Sequence, residues 1–178
     1  MKNLELRDGK ILKIDEAKPE DAAEIIDYLK IVGGESDNLL FGSEGLPITI
    51  EAEEKMLSKI REDERTLMLV GRIDGKIATL SNLGGVGTRE RIQHRASMAL
   101  SVKKEFWGMG IAGKVINELI SFAKKADYTV VELEVKTDNE AAIHLYEKSS
   151  FGKIGRYKNF FKINGKYYDA FYMQLILD

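Results

Sequence analysis

The 178-residue sequence predicts a mixed α/β fold, and three observations carry that prediction. Asp74-Gly75 and Asn164-Gly165 each sit between strand-forming stretches, and these dipeptides supply the positive φ angles that a two-residue hairpin turn needs. A strand from Ile92 to Val102, an apolar-striped helix from Ile111, and a β-branched strand from Thr129 to Val135 make a crossover unit with parallel strands. Apolar residues at helical spacing then recur on both sides of the first hairpin. At 44% hydrophobic the chain can bury a core, and with no linker or repeat it reads as a single domain over residues 1–178.

Taken in order, Ile11 to Asp15 alternates as a strand, and Pro19-Glu20-Asp21 opens a helix with proline and acids in its first turn. Ala22, Ile25, Ile26 and Leu29 form its buried stripe, and Gly33-Gly34 are expected to end it. A loop rich in Gly, Ser and Asn, a candidate lid over a substrate, leads past Pro47 to an acidic helix at Ile50 to Ile60. The hairpin Thr66 to Ile73 and Lys76 to Leu83 comes next. Gly84-Gly85-Val86-Gly87-Thr88 reads as a flexible loop; no Gly-Lys-Ser/Thr follows, so it is not a P-loop. After the glycine-spaced turn, Ile111, Val115, Ile116, Leu119, Ile120 and Ala123 line one face of a helix. A short helix from Asn139 to Lys148 is expected to open on a Thr137-x-x-Glu140 capping box, and the Asn164-Gly165 hairpin closes the chain.

Composition excludes several chemistries. Lys and Arg (27) nearly balance Asp and Glu (29), a net charge of -2, so no bulk field draws the chain to nucleic acid or to an acidic membrane surface. The absence of cysteine rules out disulfides, thiolate catalysis and thiolate metal sites. His94 and His144 are not spaced as a ligand pair, so no metal is expected. The charged start Met1-Lys2-Asn3-Leu4-Glu5-Leu6-Arg7-Asp8 is unlike a signal peptide and no apolar run is long enough to span a bilayer, which makes a cytoplasmic location the default expectation.

The chemistry concentrates at Val102-Lys103-Lys104-Glu105-Phe106-Trp107-Gly108-Met109-Gly110-Ile111-Ala112-Gly113. Glycines there admit close approach of a ligand, and the first amides of the following helix point outward at its positive dipole end, which makes an anion seat suited to a phosphate-bearing cofactor. Gly108-x-Gly110-x-x-Gly113 also spells a dinucleotide fingerprint, with Glu132 or Glu134 near the distance of a ribose-binding acid. Against that, Lys103-Lys104-Glu105 separate the strand from the first glycine and only one parallel crossover is visible. A close turn without a ligand is the plain alternative.

A second motif lies downstream: Leu133-Glu134-Val135 followed by Asn139-x-x-Ala142-x-x-Leu145-Tyr146-x-x-x-x-Phe151. With the glycine turn, the opening Ile14-Asp15-Glu16-Ala17-Lys18-Pro19-Glu20-Asp21 and the closing Asp169-Ala170-Phe171-Tyr172-Met173, it resembles the GNAT superfamily of acetyl-CoA-dependent N-acetyltransferases over most of the chain. The resemblance implies a mixed, splayed central sheet of about seven strands flanked by about four helices. Two positions depart from the family pattern: Trp107 stands where a Gln or Arg is usual, and Ser150 where the turn before Phe151 usually has Gly.

Carried over residue by residue, the resemblance implies that Leu100 and Val102 offer main-chain groups to the pantetheine arm and thioester of acetyl-CoA. Gly108, Met109, Gly110, Ile111, Ala112 and Gly113 would hold the pyrophosphate, with Lys103, Lys104 and Lys114 near enough in sequence to attract it. Asn139 would contact the pantetheine or cap its helix. Tyr146 would protonate the departing thiolate, with a packing role as the alternative, and Glu134 would be the base, with a solvent-facing carboxylate as the alternative and Glu132 as substitute. The implied reaction is direct attack by a primary amine, from a small molecule or a protein or peptide N-terminus, and Glu35, Asp37, Glu44, Glu51, Glu53 and Glu54 lie where a cationic acceptor would approach. A CoA-binding sensor or structural subunit without turnover is the alternative, and homodimerisation is left open.

Overall fold

Asp74 and Gly75 take φ of 49° and 80°, and Asn164 and Gly165 take 49° and 78°, so both hairpins close through the two left-handed residues of a type I′ turn. The computed structural model describes residues 1–177. It arranges them as β1 (Lys2–Glu5), β2 (Ile11–Glu16), α1 (Ala22–Glu35), α2 (Ile50–Glu62), β3 (Leu67–Ile73), β4 (Lys76–Gly85), β5 (Arg95–Val102), α3 (Ile111–Lys125), β6 (Val130–Lys136), α4 (Glu140–Lys148), β7 (Gly152–Ile163) and β8 (Lys166–Ile176). The eight strands form one sheet in the order β1-β2-β3-β4-β5-β6-β8-β7. No helix among the described residues is long and apolar enough to cross a membrane.

Every neighbouring pair is antiparallel except β5 and β6, the predicted crossover. That one parallel pair rules out a doubly wound dinucleotide fold, which needs several. The sheet carries apolar clusters on its two faces. Ile111, Val115, Ile116, Leu119 and Ala123 of α3 are buried with Met98 of β5 and Val131, Leu133 and Val135 of β6. Ile25, Tyr28, Leu29 and Val32 of α1 and Leu57 of α2 are buried with Val70, Ile77 and Leu80. In β3, alternation sends Leu67 and Leu69 to the first cluster and Val70 to the second.

Several expectations change. The sheet has an eighth strand, β1, whose Lys-Asn-Leu-Glu sequence is too exposed to show an apolar alternation. β5 begins at Arg95, because Ile92 N and Gln93 N both donate to Arg89 O and hold the preceding residues in a turn. Gly84 and Gly85 belong to β4, paired with Ser97 and Ala96. The helix α4 starts from Asn139, whose side chain accepts from Ala142 N at 3.3 Å, whereas Thr137 N donates to Asp169 O; the Thr137 capping box does not form. α1 runs through Gly33-Gly34 to Glu35, and the loop expected as a lid is seated on it, with Leu39 and Phe41 packed against the α1 cluster.

Gly33 and Gly34 therefore answer different needs. A Cβ on Gly33 would lie 2.0 Å from Gly42 O, whereas one on Gly34 would meet nothing nearer than Ser43 Cβ at 3.4 Å. Gly33→Ala is expected to destabilise by about 1–3 kcal/mol through the clash, while Gly34→Ala stabilises by about 0.5–1 kcal/mol through reduced unfolded-chain entropy. Urea unfolding of the two variants checks the opposite signs, and equal effects would show that the loop does not sit on Gly33.

Ser150 adopts φ of 68°, so the departure from glycine costs backbone strain at the turn between Tyr146 and Phe151. The left-handed conformation costs a non-glycine residue about 1–2 kcal/mol, partly offset by the greater freedom glycine loses on folding. Ser150→Gly is expected to raise Tm by about 1–3 °C, read by thermal melting.

Candidate functional site

The site begins where a strand pair stops. β5 and β6 are paired only through Arg95, Ala96 and Ser97 against Val130, Val131 and Glu132, and the remaining residues of both strands have no partner across that line. On its other edge β5 stays paired with β4 as far as Val102. Arg95 O accepts from Val86 N and Lys103 N donates to Ala78 O, so the odd-numbered residues of this segment turn their main-chain groups to the β4 side. Two-residue alternation then turns those of Leu100 and Val102 toward the gap. Sequence reading expected a splay, and here it has a definite start.

At the mouth of the gap lies the glycine turn. Gly108 and Gly110 have φ of 80° and 82°, a conformation that favours glycine at both positions, and α3 opens at Ile111. The first amide of the helix region to find a main-chain acceptor is Lys114 N, on Gly110 O at 3.4 Å. None of the amides of Gly108, Met109, Gly110, Ile111, Ala112 and Gly113 has an acceptor among the described residues. Six consecutive unengaged donors at a helix N-terminus form a seat for an anionic group. Gly113 is not demanded by space in the same way, since a Cβ there would meet only Leu145 Cδ1, at 3.7 Å. That contact brings α4, and with it Tyr146, beside the turn.

Tyr146 packs edge-on against Phe151 at 5.8 Å between ring centroids and is 8% exposed. Its hydroxyl has no hydrogen-bond partner among the described residues, and it is not among the side-chain atoms sealed from water. Burial pushes the phenol up to about 12, so the group is protonated throughout the neutral range. It can donate a proton but does not act as a resting base.

Glu134 stands two residues beyond the last paired residue of β6, opposite Tyr172 of β8. Its side chain is exposed, yet partial burial, and after it the negative charge of Glu132, raises its pKa above the ordinary carboxylate value. Glu132 itself is committed elsewhere. Arg95 Nε donates to its Oε2 at 3.0 Å and Arg95 Nη2 to its Oε1 at 2.9 Å, and the same Nη2 also reaches the Tyr172 hydroxyl at 2.9 Å. Glu132 is thus held in a fork with Arg95, whereas Glu134 has no such partner among the described residues. Arg95 and Tyr172 were not singled out in the sequence, because the pairing joins residues 37 apart across the crossover.

The other expected residues divide. Trp107 is 50% exposed, but its Nε1 donates to Val102 O at 2.7 Å, which occupies one of the main-chain groups at the gap. Lys103 pairs with Glu105 at 2.7 Å, Lys104 Nζ lies 5.9 Å over the Trp107 ring, and Lys114 has no carboxylate partner among the described residues. Glu35 accepts from Lys104 N at 2.7 Å, Glu44 accepts from Gly42 N at 2.9 Å, Glu51 is bonded to its own main chain and to Thr49, and Glu53 is 1% exposed, so of the acidic set Asp37 and Glu54 are exposed without such a bond among the described residues. Burial raises the pKa of the Glu53 carboxyl, which weakens its use as a fixed negative charge. His94 ends the turn before β5 and His144 is exposed on α4, away from any shared cluster.

The Acetyltransferase (GNAT) family model matches residues 39–151, which include the whole gap, the glycine turn and α4. N-alpha-acetyltransferase RimI of Mycobacterium tuberculosis is 33% identical over 97 residues, 54% of this chain and 56% of that relative, so the match spans little more than half of the relative's length. Among solved structures, an acetyltransferase of the GNAT family from Streptococcus pneumoniae superposes with a TM-score of 0.89 at 29% identity, covering 94% of this chain and 99% of that one. The structure of yncA from Salmonella typhimurium with its cofactor acetyl-CoA has the same fold with a TM-score of 0.81 at 17% identity, covering 94% of each chain. The extent of the family match and the strand pair that opens above the glycine turn place this chain in the GNAT acetyltransferase family.

Proposed function

We propose that the chain is an acetyl-CoA-dependent N-acetyltransferase whose acceptor is a primary amine, on a small molecule or on a protein or peptide N-terminus. The observation that carries this reading is the opening between β5 and β6 with six unengaged amides at its mouth. The relative's name, N-alpha-acetyltransferase, supports an amine acceptor. Acetyl-CoA, when bound, would supply an activated acetyl thioester.

The chain's own residues fit that group. The amides of Gly108 to Gly113 would take the pyrophosphate, Leu100 and the Val102 N–H would take the amide groups of the pantetheine arm in the manner of an added strand, and Asn139 would fix the start of the helix that carries Tyr146. Glu134 lies on the face of β6 shared with Glu132 and Arg95, and Tyr146 belongs to the apolar cluster on the other face. An amine entering on the Glu134 side would lose its proton to that carboxylate, directly or through water, while the Tyr146 hydroxyl donates to the departing sulfur. Its amine is mostly protonated at neutral pH, so a base with a raised pKa is better matched to the task than an ordinary carboxylate.

Acetyl-CoA turnover, followed by thiol release against polyamines, aminoglycosides, amino acids and N-terminal peptides, tests the reading. An accepted amine is the expected result; tight CoA binding with no turnover on any class favours a sensor or structural subunit. With the best acceptor, Tyr146→Phe is expected to lower kcat by about ten- to a thousandfold with little change in CoA affinity. An unchanged kcat would make Tyr146 a packing residue.

For Glu134 the sign follows from its charge. The carboxyl must be ionised to accept a proton, so kcat/KM should rise with pH through an acidic limb displaced above the ordinary carboxylate range. Glu134→Gln is expected to flatten that limb and cut the rate. A limb that persists unchanged in the variant would falsify the base assignment and leave acetyl transfer standing.

A further inference from the structure

Of Lys103, Lys104 and Lys114 beside the glycine turn, only Lys114 is unpartnered among the described residues, a single ammonium for a diphosphate. At the position where the family pattern has Gln or Arg stands Trp107, and the one polar atom of its side chain is spent on Val102 O. Lys103 is paired with Glu105, and the Lys104 ammonium lies over the Trp107 ring. With a net charge of only -2 spread over the chain, no bulk field makes up the difference for a diphosphate.

A guanidinium arrives from elsewhere. The turn between β1 and β2 is held by Leu6 N donating to Lys10 O at 2.8 Å and Gly9 N donating to Leu6 O at 3.0 Å. Leu6 is 4% exposed and belongs to the same apolar cluster as Ile111 of α3, so this turn is anchored on the helix that the glycines open. The next residue, Arg7, lies over Gly110: a Cβ on that glycine would sit 3.5 Å from Arg7 Nε and 3.9 Å from both Cγ and Cδ. Arg7 is exposed and has no carboxylate partner among the described residues, while its neighbour Asp8 is engaged with Lys10. Gly110 is called for by its left-handed φ, and Arg7 lies at ordinary van der Waals distance from where a Cβ would stand.

We propose that Arg7 is a cofactor-binding residue, the guanidinium that holds the diphosphate of CoA from outside the glycine turn in place of the cation that Trp107 does not supply. The proposal rests on the reading of that turn as the CoA site. A planar fork of N–H donors suits two phosphate oxygens better than a lysine ammonium does, and the six amides of the turn leave the outer side of the diphosphate to be neutralised by a side chain.

Calorimetric titration of the full chain with CoA and with 3′-dephospho-CoA tests it, using wild type, Arg7→Ala, Arg7→Lys, Trp107→Arg and the double variant Arg7→Ala/Trp107→Arg. Arg7→Ala is expected to weaken both ligands alike, by about ten- to a hundredfold, the range for a hydrogen bond to a charged group. Its affinity should also depend less on salt than that of wild type. Arg7→Lys should retain part of the affinity, and the double variant should recover most of it, a rescue that a purely structural role for Arg7 would not produce. Wild-type affinity in Arg7→Ala overturns the assignment while leaving the turn as the CoA site, and a loss confined to CoA, sparing dephospho-CoA, overturns it in favour of the 3′-phosphate. Absence of CoA binding by wild type overturns both readings together.

Discussion

The rest of the structure depends on one interruption of hydrogen bonding, the end of the β5 and β6 pairing after three residues on each strand. Continuous sheets satisfy their main chain internally, and a central gap leaves donors and acceptors that need another partner. The fold tolerates it because β5 stays bonded to β4 through Val102 and β6 stays bonded to β8 through Lys136, so each lip of the gap is braced on its outer side. The apolar side chains of both lips also remain buried in the α3 and α4 cluster, with Met98 on one and Leu133 and Val135 on the other. Backbone groups are opened to a ligand without opening the core.

Position follows from that gap. The chain leaves β5 at Val102, passes through a short polar link, and must turn sharply to lay α3 back across the sheet; the left-handed glycines at 108 and 110 make that turn. The same geometry leaves six amides without main-chain acceptors, so the connection that closes the crossover is also what supplies the donors for the proposed phosphate seat. Trp107 links the two features. Its bond to Val102 O ties the turn to the lip of the gap, which gives a structural reason for tryptophan at a position where a charged or amide side chain is usual.

Much of this was legible in the chain because it is written locally. Hairpins announced by Asp74-Gly75 and Asn164-Gly165, the stripe Ile111, Val115, Ile116, Leu119 and the glycine spacing each lie within a dozen residues, and each appears where it was read. What escaped was either hidden in exposure or spread across the fold. β1 carries too little apolar pattern to stand out, and Gly33-Gly34 look like a helix stop although Gly33 is there for the close approach of Gly42 O. The Arg95 pairing with Glu132, the capture of Glu35 by Lys104 N and the seat of Arg7 over Gly110 join residues 37, 69 and about a hundred apart, distances at which neither periodicity nor spacing carries a signal.

Tyr146 and Glu134 are perturbed in a way that fits the separate tasks proposed for them. Tyr146 and Glu134 both have raised pKa values, and burial is the main cause for each. For a phenol the shift to about 12 extends the range over which it keeps its proton, which suits a donor. For a carboxylate the same direction brings ionisation closer to neutrality and makes the ionised group a stronger proton acceptor. Arg95 sharpens the contrast, because its fork with Glu132 holds one of two alternate strand carboxylates in an ion pair and leaves Glu134 as the one without such a partner. Under the proposed roles one physical effect, desolvation on either face of an interrupted sheet, suits Tyr146 to donate a proton and Glu134 to accept one.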